Sequence, residues 1–481
     1  MASAAKRTKL AVDDDVQNAK YTAVMPDRDN FNRTEYYAPT WSDCFWEKFP
    51  TKQSTDNGKV LEFEMRSLFK NMFYDLSTIT LGTTLQMLDE HGRAIGAGHV
   101  IAPINYFAQT MIQSICVYLN DECVHNSGQY YAEKAMLMAL TNQTQTDRET
   151  TLSRQGYYDE QPDHLQVPTF ADMATLNRAL FFGDEVPGTA QVPVHVNFND
   201  KAVNFYSPLL ADVFTPQNVL LPYITCHVVI TLHPDAYVLW CEDEIAGENY
   251  KLKVDKAELM CLRMKSHEKF YDELLAQMKE KGPIKYRFKR MGVTSLEIPA
   301  GADTFEDCNF VKTSTNPTRG FIAMRLASLA RPNYRTNPLQ FNARWPDADH
   351  TEQHHSYSEI GNFELSVQGN RLEHTGFAAN FMSYAQWHYY WFQQRVKYSG
   401  GDGLSFSNYT LAKYFIPYDL TTSMRGDKSG NVRLPVKEGD FKIAIKFTEA
   451  LLHPLQLLIF QEYCSSYTIN ANSVVTYKYI D

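Results

Sequence analysis

The stretch ICVYLNDECV (115–124) reads as two short strands folded back across Asn120-Asp121, and a relative of it, FELSVQGNRL, returns at 363–372. Each is followed by an aromatic, helix-like segment, YYAEKAMLMAL in the first case and FMSYAQWHYYWF in the second. A unit repeated in this way constrains the fold more than any single pattern can, because a chain that makes the same hairpin and helix twice is making one domain twice. Two further matches keep the order. YFIPYDL (414–420) resembles QVPVHVNF (191–198), with Pro417 standing where Pro193 stands. FKIAIKF (441–447) resembles ITCHVVI (224–230), so that Phe441, Ile443, Ile445 and Phe447 match Ile224, Cys226, Val228 and Ile230. The spacing between the copies shrinks along the chain while their order holds, as it does when two copies of one fold differ in loop length. The excess in the first copy falls in the polar, turn-rich region 145–190.

Within each copy the dominant period is that of strands. VLEFEMRS (60–67) alternates, with Leu61, Phe63 and Met65 on one face, and LSTITLGTTLQML (76–88) is Thr-rich and β-branched. YITCHVVITL (223–232) puts Ile224, Cys226, Val228, Ile230 and Leu232 on one face. One helix is predicted over about 267–280, capped by Ser266, with Phe270, Leu274 and Met278 recurring every four residues and Gly282-Pro283 ending it. The acidic, Gly-containing stretch CEDEIAGENY (241–250) marks the junction between copies. The resulting division is a polar arm at 1–45, a first domain at 46–245 and a second at 246–481. About eight short antiparallel strands per copy close into a sandwich or barrel, of which the jelly roll is the eight-stranded form. The fold class is therefore all-β: two tandem eight-stranded jelly rolls with a few short helices.

Composition narrows the function. A net charge of −10 argues against a surface coated with nucleic acid, though not against enclosing it. Eight scattered cysteines with no CxxC pair read as reduced thiols. The N-terminus MASAAKRTKLAVDDD has no apolar core for a signal peptide, and no run approaches the ~18 apolar residues of a membrane span, so the chain is expected to be intracellular and the sequons at Asn32, Asn142 and Asn408 unused. The cluster Lys6, Arg7 and Lys9 has the character of a nuclear-import patch, and the arm as a whole is expected to act in assembly.

No motif carries chemistry. GxxxxGK[ST], HExxH, GxSxG and GxGxxG are all missing from the sequence. SGGDGLS (399–405) lacks a following P-loop Lys and reads as a flexible turn. A two-domain cupin-type metalloenzyme would use His350, His354 or His355, and Glu359 as ligands, but these lie in the polar loop DHTEQHHSYSE, which reads as a solvated one. A lectin-like module would use aromatic runs such as WHYYWF (387–392), which lacks interleaved Lys and Arg and reads as buried under a sheet. RGD at 425–427 sits in a loop-like stretch where, if exposed, an integrin-type receptor could read it, but a three-residue match is readily met by chance. No catalytic, cofactor-binding or metal-binding residue is assigned, which favours a structural role.

Several blocks resemble the double jelly-roll major capsid proteins of polinton-type elements and adintoviruses. FYDLSTITLGTTLQML resembles that family's opening strand segment, with Asp75-Leu76-Ser77 leading an alternating run. INYFAQTMIQSICVYLNDECV resembles the block that feeds a VYLNG-type hairpin, with Asp121 in place of the usual Gly. YKLKVDKAELMCLRMKSHEKFYDELLAQMKEKGPIKY followed by LEIPAG resembles the link into the second roll, and NYRTNPLQF (333–341) a further Asn-Pro segment. GDFKIAIKFTEALLHPLQLLIFQEY resembles the last two strands. The resemblance implies a homotrimeric, pseudo-hexagonal capsomer (hexon) that tiles an icosahedral capsid with neighbouring capsomers. It also implies a separate penton protein at the fivefold corners, double-stranded DNA enclosed rather than read, no cofactor and no enzymatic activity. The location would be the virion, with synthesis in the host cytoplasm and assembly there or in the nucleus.

Overall fold

A computed structural model describes residues 41–52, 59–95, 101–160, 172–186, 195–197, 201–214, 219–241, 249–267, 269–308, 317–331, 334, 337–342, 344–346, 357–367, 369–371, 381–420 and 441–479. Two sets of eight strands account for most of the architecture. The first set is β1 (Trp41–Pro50), β2 (Val60–Arg66), β3 (Met72–Leu88), β4 (Ile112–Leu119), β5 (Glu122–Asn126), β6 (Val203–Pro208), β7 (Thr225–Leu232) and β8 (Lys251–Ser266). The second is β9 (Ile284–Ile298), β10 (Thr304–Asp307), β11 (Arg319–Leu326), β12 (Tyr357–Val367), β13 (Asn370–Arg371), β14 (Phe415–Asp419), β15 (Phe441–Phe447) and β16 (Leu455–Ile469).

The pairing is the same in both. In the first set one sheet runs β1-β8-β3-β6 and the other β2-β7-β4-β5; in the second they run β9-β16-β11-β14 and β10-β15-β12-β13. First strand beside last, with two interleaved four-strand sheets, is the jelly-roll order, and all these pairs are antiparallel. The two rolls are thus copies of one topology, as the repeat predicts. Each smaller sheet is buried on one face because its strands alternate: Phe63, Val117 and Val228 point inward and Glu64, Tyr118 and His227 do not. Each fully buried Phe or Val adds about 1.5–3 kcal/mol, and a one-residue slip in register would forfeit the whole set. In the second roll Tyr418 of β14 meets Phe441 of β15 with ring centroids 5.3 Å apart, closing the two sheets on each other.

Hydrogen-bond partners move several boundaries. The strand Lys251–Ser266 pairs with β1 and β3, so it is the eighth strand of the first roll and the second roll cannot begin at 246. The hand-over between rolls falls after Ser266, through helix α3 (Phe270–Lys281). That helix is not capped by Ser266, which ends β8 and donates its hydroxyl to the Asn71 and His267 carbonyls. At the other boundary, Trp41–Pro50 is already strand, so the roll starts before residue 46. The sixth strand of the first roll is Val203–Pro208; His195–Asn197 pairs with Asp184–Val186 instead, and Pro193 lies outside the described residues. The seventh strands do correspond, but Phe441 faces Val367 as Cys226 faces Leu119, two residues from the match read in the sequence and on the same face. The strands of the larger sheets are also not short: β3 has 17 residues, β8 16, β9 and β16 15 each. Their extra length reaches beyond the partner sheet. Tyr286, near the start of β9, stacks on Tyr467 at 4.7 Å and donates to the Val219 carbonyl of the first roll.

Candidate functional site: the junction between the rolls

The connection from fifth to sixth strand carries a helix in each roll, α1 (Tyr131–Asn142) in the first and α4 (Phe381–Ser399) in the second, with α2 (Met173–Leu180) between them in the chain and α5 (Phe406–Ala412) after α4. Helix α1 turns charged residues toward the second roll. Glu133 Oε1 accepts from Arg325 Nη2 of β11 at 2.9 Å and from the Tyr237 hydroxyl at 3.2 Å, and both members of the ion pair are 2% exposed. Arg325 is held further by Gln456 Oε1 at 2.7 Å and by the Pro338 carbonyl. Burial works against the Arg325 charge, but Glu133 and Tyr237 outweigh it and its pKa ends above the ordinary value.

Beside this pair, Lys134 donates to Asp212, whose other oxygen accepts the Met291 N–H of β9 at 3.0 Å. His125 lies 3.7 Å from Asp212 and is completely enclosed; burial, only partly offset by Asp212, pushes its pKa down to about 3, so it is neutral and the contact is no ion pair at pH 7. His233 stacks on Tyr237 at 3.8 Å, and burial followed by the Arg325 charge lowers it to about 3 as well.

The loop SGGDGLS belongs to the same junction rather than forming a free turn. Asp402 accepts the Gln145 N–H at 2.6 Å and pairs with Arg148, which also donates to the Gly403 carbonyl. A Cβ at Gly401 would sit 2.6 Å from the Thr141 carbonyl at the end of α1, so only glycine allows this approach. At the opposite end of the rolls, Asn120 donates its side-chain amide to the Ser473 carbonyl at 2.8 Å. Asn120 (φ 52°), Tyr223 (φ 65°) and Ser473 (φ 61°) are all left-handed, a costly backbone state that persists where packing over-determines it. In the hairpin it is Asn120, not Asp121, that takes positive φ, which is why the departure from Asn-Gly is tolerated.

Most of the residues weighed for chemistry fall where nothing is described. His350, His354 and His355 lie outside the described residues, as do Asn32 and the RGD at 425–427. Glu359 is in β12, its N–H donated to Thr448 Oγ1. Among the described residues no group of three or more His, Cys, Asp or Glu could hold a metal ion, and no helix is long and apolar enough to cross a membrane. The run WHYYWF is half-buried. His388 and Phe392 are enclosed against Tyr414, Phe363 and Phe321, while Tyr390 is 53% exposed and stacks on Trp387. Sequence reasoning missed the junction because Glu133, Lys134 and Arg325 are residue types that normally face water.

No family model and no curated protein matches the chain in sequence. Its fold does match solved structures. A chain in the structure of the Sputnik virophage superposes with a TM-score of 0.61 at 11% identity, covering 100% of this chain and 93% of that one. The mavirus major capsid protein superposes at 0.51 and 11% identity, covering 100% and 97%. The Faustovirus major capsid protein does so at 0.51 and 10%, covering 94% and 98%. The chain therefore has the double jelly-roll fold along nearly its whole length, and at these identities the likeness is one of fold.

Proposed function

We propose that this chain is a major capsid protein of the polinton or adintovirus type, a structural protein without turnover of any substrate. Three copies form a pseudo-hexagonal capsomer with six rolls, and capsomers tile an icosahedral shell around double-stranded DNA, with a separate penton protein at the corners. The virion is its location, after synthesis in the host cell. The observation that carries this reading is the pair of rolls with identical strand order, joined into one block by the buried Glu133–Arg325 ion pair. A tile needs two such domains held at a fixed angle. Support also comes from the coverage of viral capsid proteins over 94–100% of this chain. The sequence resemblance narrows it to the polinton type. Native mass and negative-stain images test it: a species near three times 55.2 kDa with a hexagonal outline, or closed shells, is expected. A monomer at every concentration would refute it.

A further inference from the structure

The outward face of β9-β16-β11-β14 meets two nearly enclosed arginines whose surroundings differ. Toward the first roll, every nitrogen of the Arg325 guanidinium has an acceptor: Nε meets Gln456, Nη1 the Pro338 carbonyl and Nη2 Glu133. At the opposite end of that face, Arg395 of α4 is less well served. Its Nη2 lies 3.6 Å from Glu462 Oε2, beyond a normal hydrogen bond, while Nε and Nη1 are enclosed with no acceptor among the described residues. A buried, charged donor left without an acceptor is costly and is a sign of a bound ion or water. The fold gathers the neighbours. Arg319 of β11 stands opposite Glu462 of β16, Met291 of β9 flanks Glu462 on the other side, and Lys289, two residues before Met291, shares its face. Phe392 of α4 packs on Phe321, two residues after Arg319, at 6.3 Å, so Arg395, three residues further along the helix, comes down beside Arg319 and Glu462.

Three cations thus surround Glu462: Arg319 at 2.8 Å, Lys289 at 3.3 Å and Arg395. Asp419, beside Arg319 on β14, adds a second carboxylate, and one positive charge remains over. The side chains of Arg319, Arg395 and Glu462 are 12%, 11% and 12% exposed, whereas Lys289, at 58%, opens to water. We infer that this cluster binds a small inorganic oxyanion of the phosphate class, which accepts from the unfilled nitrogens of Arg395 and from Lys289 at the open edge. Diverging guanidinium donors suit a tetrahedral ion with several acceptor oxygens. A nucleic-acid strand would need an open groove, and here α4 lies over the site. The ion fastens α4 to β9 and β11, and because only the folded chain gathers these elements, its binding stabilises the fold. The inference stands beside the capsid reading and does not depend on it.

Isothermal titration calorimetry of the full chain with inorganic phosphate, at ionic strength held constant with sodium chloride, tests it. One ion per chain is expected, and the melting midpoint should rise with phosphate and level off as the site fills. Arg395→Gln should weaken binding by ~10-fold or more. Lys289→Gln, at the exposed edge, should weaken it as well without lowering the melting midpoint in phosphate-free buffer. If Arg395→Gln loses its native circular dichroism, Lys289→Gln carries the test. Lys442→Gln, which breaks an exposed pair with Glu306 at 2.8 Å, should bind as the wild type does. No saturable binding would overturn the inference and assign the unfilled nitrogens to water. Equal affinity in the wild type and both cluster variants would overturn it as an adventitious ion only. Displacement of phosphate by a short single-stranded DNA, lost in Arg395→Gln, would overturn it too, since the face would then hold a polymer. Native mass, on which the capsid reading turns, is untouched by any of these results.

Discussion

Each roll carries a glutamate on its last strand, and the two live in different worlds. Glu258 of β8 is flanked by Lys48 at 2.7 Å and Lys256 at 2.8 Å, whose side chains are 57% and 63% exposed, so its cationic partners stand largely in water. Glu462 of β16 is flanked by Arg319 at 2.8 Å, Lys289 at 3.3 Å and Arg395 of α4 at 3.6 Å, with both arginines nearly enclosed. Burial would raise the Glu462 pKa, but the three cations hold it below the ordinary carboxylate value. Burial and the neighbouring Arg319 bring Arg395 down to about 10. One topology therefore supports a water-facing sheet and a sheet buried on both sides. What differs is what is laid on top, and that is decided by the helices between the fifth and sixth strands.

The sharpest way to break this comparison is through the third strands, which each place a glycine opposite a tyrosine of the sixth. A Cβ at Gly320 would lie 1.8 Å from the Phe460 carbonyl, against backbone that cannot yield, so Gly320→Ala should destabilise by about 3 kcal/mol or more. At Gly82 the nearest atom is the ring edge of exposed Tyr206 at 3.0 Å, and Gly82→Ala should cost below about 1 kcal/mol. Gly320 and Tyr418 face the interior between the sheets while Gly82 and Tyr206 face outward, so equal urea midpoints for the two variants would show that the two faces are equally packed. Next in size, Glu462→Gln strands two buried arginines and should cost about 3–5 kcal/mol, against less than about 1 kcal/mol for Glu258→Gln. Unfolding midpoints of the two single variants read the difference.

Acid should find the junction. His125 and His233 are pushed by burial from 6.5 to about 3 in the folded chain, which therefore binds fewer protons than the unfolded chain between those values. Their stabilising contribution is complete above pH 6.5 and declines as pH falls toward 3, by up to about 1.4 kcal/mol per pH unit for each histidine. Urea midpoints of the wild type and of His125→Leu/His233→Gln at pH 7.5 and 5.0 should converge at the lower pH. A parallel decline in both proteins would assign the acid slope to carboxylates alone. Lys48→Ala, at the exposed end of the Glu258 pair, should leave the midpoint within error.

How much of this was legible differed by element. The hairpins were placed to the residue, with Leu119 opposite Glu122 and Val367 opposite Asn370, because a turn and its flanking alternation are local. The inward faces of β2 and β7 were equally plain. The eighth strand was seen as a strand yet given to the wrong roll, since its partners are in β1 and β3 and long-range pairing leaves no local mark. The proline that seemed to align the sixth strands misled for the opposite reason: a strand-edge Pro is a weak anchor when loop lengths differ. At the junction, Glu133 and Lys134 are of residue types that normally face water, so nothing local in α1 marks them as buried partners of Arg325 and Asp212.

The pairing of first strand with last has a consequence for synthesis. Lys48 meets Glu258 across 210 positions of chain, and β1 pairs only with β8 among the sixteen roll strands. On the ribosome β1 must therefore wait, its edge and Trp46 open, until nearly the whole first roll has emerged; β9 waits likewise for β16, the last strand of the second roll. Long-range pairings of this kind form slowly and leave exposed strand edges that invite mispairing between nascent chains. A chain with two such closures passes through two intervals of exposure during synthesis, and its folding yield would be governed by how fast each closing strand is delivered.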